Sequence, residues 1–163
     1  MGKIFQLKQE LKIYTFIDMT EQELDLELKE LNDFRKRFDN KLLMYYPYPR
    51  VKQAIAQKEI KIWRNDNGEI EGYIWLKNLK RKRISRVEEI YSKKKGLGTI
   101  MMNYAKDNSW FDVIELKVLD FNDYAINFYI KHGFKEVSRE QGGKVNNITM
   151  LFEKPKTNLY ETT

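Results

Sequence analysis

The strongest constraint on how this chain folds is a change of period at Gly96. Before it, Val87-Glu88-Glu89-Ile90-Tyr91-Ser92 ends a stretch rich in β-branched and aromatic residues, and after it Leu97, Met101, Tyr104 and Ala105 recur at helical spacing. Between them lies Lys93-Lys94-Lys95-Gly96-Leu97-Gly98-Thr99. A strand that turns on two glycines into a helix exposes consecutive backbone N–H groups at the positive end of the helix dipole, which makes a cradle for an anion. The three lysines add point charges suited to phosphate. The turn is not a Walker A loop, because no second Gly stands five positions before a Lys-Ser/Thr pair, and it is not a dinucleotide fingerprint, because Met101 occupies the third Gly position. Read alone, the same residues also make an ordinary surface turn with solvated lysines.

The remaining elements surround this unit. Leu11–Ile17 reads as a strand, and Thr20 with Glu23 forms a capping box that opens a helix with its apolar stripe at Leu24, Leu28, Leu31, Phe34 and Phe38. Leu42–Pro49, aromatic and twice interrupted by Pro, reads as a loop before a short helix through Ala54 to Lys58. Ile60–Trp63 and Ile70–Leu76 flank the turn Asn65-Asp66-Asn67-Gly68, and Ile84–Tyr91 follows the basic run Lys80-Arg81-Lys82-Arg83, so these three strands form an antiparallel meander. Val113–Val118 is a strand, Asn122–Lys131 a helix ended by His132-Gly133, and Phe134–Val137 and Asn147–Phe152 are two closing strands. Strands that first pair locally and then alternate with helices predict a mixed α/β (α+β) sheet. The 163 residues suit one domain, residues 1–154, with a polar tail over 155–163.

Composition removes several classes of function. With no Cys there is neither a disulfide framework nor a thiolate metal site, and no metal is expected. No secretory signal is visible at Met1–Leu7, and the longest stretch without a charge, Gly96–Ala105, is far below the ~20 residues of a membrane span. A soluble cytoplasmic protein without a membrane partner is expected. The net charge of +6 favours anionic partners.

A second segment joins the first: Asn122-Asp123-Tyr124-Ala125-Ile126-Asn127-Phe128-Tyr129-Ile130-Lys131-His132-Gly133-Phe134. On a helix Asn122, Ala125 and Tyr129 fall along one face, able to offer an amide and a phenol to one ligand, and Tyr129 also suits an ordinary core position. A basic Gly-x-Gly turn, a strand, and an Asn-x-x-Ala-x-x-Phe-Tyr-x-x-x-Gly-Phe helix, in that order over Ile84–Phe134, resemble the GNAT superfamily of acyl-CoA-dependent N-acyltransferases. Lys93 stands at the first position of that family's Arg/Gln-x-x-Gly-x-Gly/Ala motif, with Gly96 and Gly98 in register; Lys95 replaces the usual Arg before the first Gly, keeping the charge and losing the bidentate fork.

The resemblance implies a central, largely antiparallel sheet of about six to seven strands with helices on both faces, and acetyl-CoA as co-substrate. It further implies that the backbone of Ile90, Tyr91 and Ser92 pairs with the pantetheine arm. Lys93, Lys94, Lys95, Gly96, Leu97, Gly98 and Thr99 would hold the pyrophosphate. Asn122, Ala125 and Tyr129 would face the cofactor, with Tyr129 as general acid.

Without Cys, and with His132 as the single His at a helix end, direct attack of an amine on the thioester is expected in place of a covalent enzyme intermediate. Glu88 and Glu89 precede the turn on a strand whose alternation sends them to opposite faces, so one of them reaches the acceptor side, acting through water or orienting the amine. Both also read as surface carboxylates balancing Lys80–Arg83. The competing function is a basic nucleic-acid-associated protein, or an acyltransferase whose acceptor amine sits on a nucleic acid or an aminoacyl-tRNA. Lys77, Lys80–Arg83, Arg86 and Lys93–Lys95 put nine cations into nineteen residues, with Trp75 and Tyr91 available for stacking. The acceptor is not specified by any motif, and a homodimer is left open.

Overall fold

The computed structural model describes residues 19–37 and 48–156. The strand expected at Leu11–Ile17, Phe38 of the helical stripe, residues 42–47 of the aromatic loop and residues 157–163 of the tail lie outside the described residues. Contacts divide the chain between Lys61 and Ile62 into two compact units.

In the first unit, helix α1 spans Glu21–Arg35. It opens as its sequence predicts: the Thr20 hydroxyl accepts the Glu23 N–H at 3.1 Å, with Glu21 and Glu23 in the positive first turn and Arg35 in the last. Leu24, Leu31 and Phe34 are buried. Helix α2 spans Tyr48–Ala56, starting earlier than the proline-rich sequence suggests. Pro49 stands in its first turn, where the absent N–H has no intrahelical partner to lose, so the helix start accommodates it. Lys52 reaches back to Glu21 at 2.6 Å and Asp25 at 2.8 Å on α1.

The second unit is built on a six-stranded sheet of order β1-β2-β3-β4-β6-β5, with β1 at Ile60–Arg64, β2 at Ile70–Leu79, β3 at Ile84–Ser92, β4 at Val113–Leu119, β5 at Lys135–Arg139 and β6 at Asn147–Glu153. Asn65 organises the β1–β2 turn, its Oδ1 accepting the N–H groups of Asn67 and Glu69, each at 2.9 Å. β2–β3, β4–β6 and β5–β6 are antiparallel, and β3–β4 is the parallel pair. Its crossover carries helix α3, Leu97–Asn108, and helix α4 follows β4 at Asp123–Lys131.

Both helices contribute to one core cluster. Leu97, Met101, Met102 and Ala105 of α3 and Tyr129 of α4 join Ile74, Leu76, Val87, Ile114, Leu116, Val118, Ile148 and Met150 of the sheet. Gly72 admits this docking, since a Cβ there would lie 2.8 Å from Leu97 Cδ2 and 2.9 Å from the Tyr91 carbonyl oxygen. Among the described residues no helix is long and apolar enough to cross a membrane, and no three His, Asp or Glu residues gather as metal ligands do.

Candidate active site

Two departures from regular pairing in β3 define the site. The first is toward β4. Parallel pairing holds at Ser85–Ile114, Arg86–Glu115 and Val87–Leu116 and goes no further, although β3 continues to Ser92 and β4 to Leu119. Beyond Val87 the two strands are no longer laddered. On the other side, the Lys93 N–H donates to the Glu71 carbonyl at 3.0 Å, and the register pairs Tyr91 with Tyr73 and Glu89 with Trp75. In an antiparallel ladder bonded pairs alternate with non-bonded ones, so Lys93, Tyr91 and Glu89 spend their backbone groups on β2. The N–H and C=O of Ile90 and Ser92 therefore point to the side where β4 has parted.

The turn completes this edge. Ser92 Oγ accepts the Lys94 N–H at 3.1 Å and donates to the Lys94 carbonyl at 2.8 Å, and the Leu97 N–H reaches the same carbonyl at 3.2 Å. Gly96 sits at φ +85°, the left-handed region, and offers no capping side chain to α3. The first-turn N–H groups thus lack a side-chain cap and lie beside Lys93, Lys94 and Lys95, all exposed, with Lys94 also 3.5 Å from Glu71. Thr99, one turn on, is exposed, and its Oγ1 lies 3.4 Å from His132 Nε2. Gly98 brings α3 against α4: a Cβ there would stand 3.2 Å from the Phe128 ring.

On α4 the expected residues divide by role. Asn122 lies just outside the helix as its N-cap, its Oδ1 accepting the Ala125 N–H at 3.2 Å, so the side-chain oxygen is committed to the helix start. Ala125 is half-buried and packs on the core cluster with Ile126. Tyr129 is buried in that cluster, its ring against Phe128 and Phe134, and burial pushes its phenol far above the ordinary value, so it stays protonated and keeps its O–H to donate. His132 is held below its usual value by burial and then by Lys106 and Lys131, which favours the neutral imidazole beside Thr99.

The second departure is a bulge. The β2–β3 register passes from Trp75–Glu89 to Leu76–Val87, leaving Glu88 as the extra residue. Val87 and Ile90 belong to the α3–α4 core, whereas Glu89 shares the other face with Trp75, Tyr73 and Tyr91. Glu88 lies 3.8 Å from Arg86 Nη1, and Arg86 is bound at 2.7 Å and 2.9 Å to Glu115 on that same face, away from α3 and α4. Simple alternation, which sends Glu88 and Glu89 to opposite faces, is therefore overturned, because the inserted residue puts both carboxylates on the face away from α3 and α4. Glu89 is buried and its Oε2 accepts the Tyr73 hydroxyl at 2.9 Å. Tyr73 is a candidate site residue that the sequence alone does not reveal. Its position opposite Tyr91 depends on the register, which is not evident before the bulge is located.

The long basic stretch is also divided. Arg86 is neutralised by Glu115, and β3 separates Lys80–Arg83 from Lys93–Lys95 by about 30 Å at ~3.3 Å per residue. Trp75 is only 1% exposed and unavailable for stacking.

No protein-family model matches the chain, and no curated protein matches it in sequence. Solved structures do. Naa20 of Chaetomium thermophilum in complex with a bisubstrate analogue is 15% identical, with a TM-score of 0.66 over 78% of this chain and 83% of that one. The NatB acetyltransferase complex bound to CoA and MES gives 16% identity and a TM-score of 0.61 over 71% and 88%. A nourseothricin acetyltransferase gives 19% and 0.53 over 61% and 68%. The mixed, mostly antiparallel sheet, the parted parallel pair and the glycine turn into α3 thus belong to a chain with the fold of the GNAT N-acetyltransferases.

Proposed function

We propose that this protein is an acetyl-CoA-dependent N-acetyltransferase that moves the acetyl group directly to an amine. One observation carries the reading: β4 leaves β3 where the backbone groups of Ile90 and Ser92 face outward, immediately before an uncapped, lysine-flanked helix start. An amide-bearing arm ending in a pyrophosphate matches that sequence of groups, with Ile90 and Ser92 pairing the arm, the Gly98 and Thr99 amides meeting the phosphates, and Lys93, Lys94 and Lys95 adding charge. Acetyl-CoA supplies an acyl group on a good leaving thiolate.

The transfer forms a C–N bond and breaks a C–S bond. A backbone N–H of Ile90 or Ser92 is placed to polarise the thioester carbonyl. The amine must lose a proton, and Glu89 is the better placed of the two carboxylates, because Tyr73 fixes it while Glu88 lies against Arg86. A carboxylate near pKa ~4.3 receives a proton from an ammonium near ~10 uphill, so Glu89 acts through water on the fraction of amine already neutral. Tyr129 faces the opposite demand. A phenol held so far above the ordinary thiol value near ~8.5 stabilises the departing sulfur by donating a hydrogen bond, with the final proton coming from solvent.

The fold is shared by acetyltransferases of different names, so the acceptor must be found by assay. Free-thiol release from acetyl-CoA is measured against pools of small amines, peptides, aminoacyl-tRNA and DNA. Release with one pool and none without acceptor is expected. No acceptor-dependent release, together with no acetyl-CoA binding by titration, refutes the proposal.

A further inference from the structure

The β2–β3 turn is the concentration of positive charge that the proposed reaction leaves unused. Lys80, Arg81, Lys82 and Arg83 are consecutive and all exposed. Some cations elsewhere find carboxylates, as Lys52 does with Glu21 and Asp25, Arg86 with Glu115, and Arg139 with Glu136. Among the described residues none of these four has an acidic partner. Four neighbouring uncompensated charges repel one another, which disfavours the folded turn unless an anion is nearby. The backbone carries a second cost. Arg83 is held at φ +54°, where Gly or Asn is easier to place, so a cation is kept at a position whose conformation argues for another residue.

Trp110, in the bend before β4, adds an aromatic surface to the same corner. It is 65% exposed, and Lys80 Nζ lies 5.5 Å from its ring centroid. Its backbone is anchored: Asn78 Oδ1 accepts the Trp110 main-chain N–H at 3.1 Å and the Ser85 hydroxyl at 2.6 Å, tying the bend to both strands of the hairpin. A row of exposed cations beside an exposed indole has the chemistry that holds a phosphodiester backbone while a base stacks. An anionic membrane is a poorer match, because among the described residues Trp110 is the one large exposed apolar side chain shown against this turn, and a lipid surface calls for several. An acidic peptide would use the cations and leave the indole face without a planar partner.

We infer that the Lys80–Arg83 turn and Trp110 form a docking surface for single-stranded nucleic acid, separate from the glycine turn at the other end of β3. This inference stands independently of the proposed acetyl transfer.

The test is fluorescence anisotropy with labelled single-stranded RNA and DNA of about 12 nucleotides, followed together with tryptophan emission. Micromolar binding at low salt is expected, with quenching of Trp110. Four phosphate contacts give a slope of about −2.8 in log affinity against log salt for a single strand, so raising salt fourfold weakens binding about 50-fold. Replacing Lys80, Arg81 and Lys82 with Gln and Arg83 with Gly, which relieves the backbone, removes most of that slope and leaves the melting temperature unchanged or higher. Trp110→Ala weakens binding about 5- to 150-fold, and Trp110→Phe less. Absence of low-salt binding, binding and slope unchanged in the fourfold variant, affinity unchanged in Trp110→Ala, or equal competition by poly-glutamate or phosphatidylserine vesicles each overturns the inference.

Discussion

Replacing Gly72 with alanine tests how closely α3 is docked on β2. Gly72 pairs with Ser92. An added Cβ would lie 2.8 Å from Leu97 Cδ2, 2.9 Å from the Tyr91 carbonyl oxygen and 3.2 Å from Met101 Sδ. The two side-chain ends can swing away, but the Tyr91 oxygen belongs to a backbone held in the sheet. The strain must therefore displace β3 or lift the first turn of α3. Overpacking of this kind costs about 1–3 kcal/mol, offset by the ~0.5–1 kcal/mol that alanine gains over glycine within a strand. The net loss, up to ~2.5 kcal/mol, corresponds to a fall in melting temperature of up to about 10 °C for a chain of this size. Circular dichroism melts measure it, and acetyl-CoA titration on the same samples should show weaker binding, because the displaced Tyr91 lies between Ile90 and Ser92. Leu97→Ala in the Gly72→Ala background relieves one close contact and leaves the carbonyl contact, so it should restore neither property. An unchanged melting temperature and unchanged cofactor affinity in Gly72→Ala would refute the reasoning.

Tyr129→Phe keeps the ring contacts and removes the donor, so kcat should fall at least ~10-fold with acetyl-CoA affinity within about 2-fold; equal loss in both would make Tyr129 a binding residue. Tyr73→Phe should lower kcat/KM about 10-fold, Glu89→Gln further, and the double variant no further than Glu89→Gln, because Tyr73 acts through that carboxylate; additive losses contradict the assignment. His132 is depressed in the folded state, so the unfolded chain binds more protons between the folded value and ~6.5. Its contribution to stability is complete above ~6.5 and is lost as pH falls through the folded value. The melting-temperature difference between wild type and His132→Gln should accordingly shift against wild type on acidification, and a difference constant with pH refutes it.

Much of the fold is legible from local chemistry. Thr20 and Glu23 mark the start of α1, Asn65 and Gly68 the β1–β2 turn, and Gly96 and Gly133 the ends that bound α3 and α4, because each signal acts within a few residues of itself. Pairing partners are not local. Tyr73 and Glu89 are sixteen positions apart and meet only in one register, and nothing in the composition of Leu42–Pro49 shows that a helix starts at Tyr48. Charge runs mislead for the same reason, since Lys77–Lys95 is continuous in sequence and lies along a strand whose two ends are far apart.

The bulge has a signature that alternation alone hides. Val87 and Ile90 both pack toward α3 and α4, yet they are three positions apart, and no two-residue period places both on one face. Without an extra residue, pairing continued from Val87 would send Glu89 into the core beside Leu116 and Met101 and turn Ile90 outward. An unpaired carboxylate there costs several kcal/mol, so the chain gains by accommodating one unpaired residue at Glu88. The same slip reverses which backbone groups face β4. Before the bulge, the odd residues Ser85 and Val87 meet β4; after it, the even residues Ile90 and Ser92 do, beyond the last parallel pair. Two adjacent glutamates between Val87 and Ile90 thus account together for the carboxylate that Tyr73 holds on the face away from α3 and α4, and for the open backbone edge. Acid and edge are two consequences of one inserted residue.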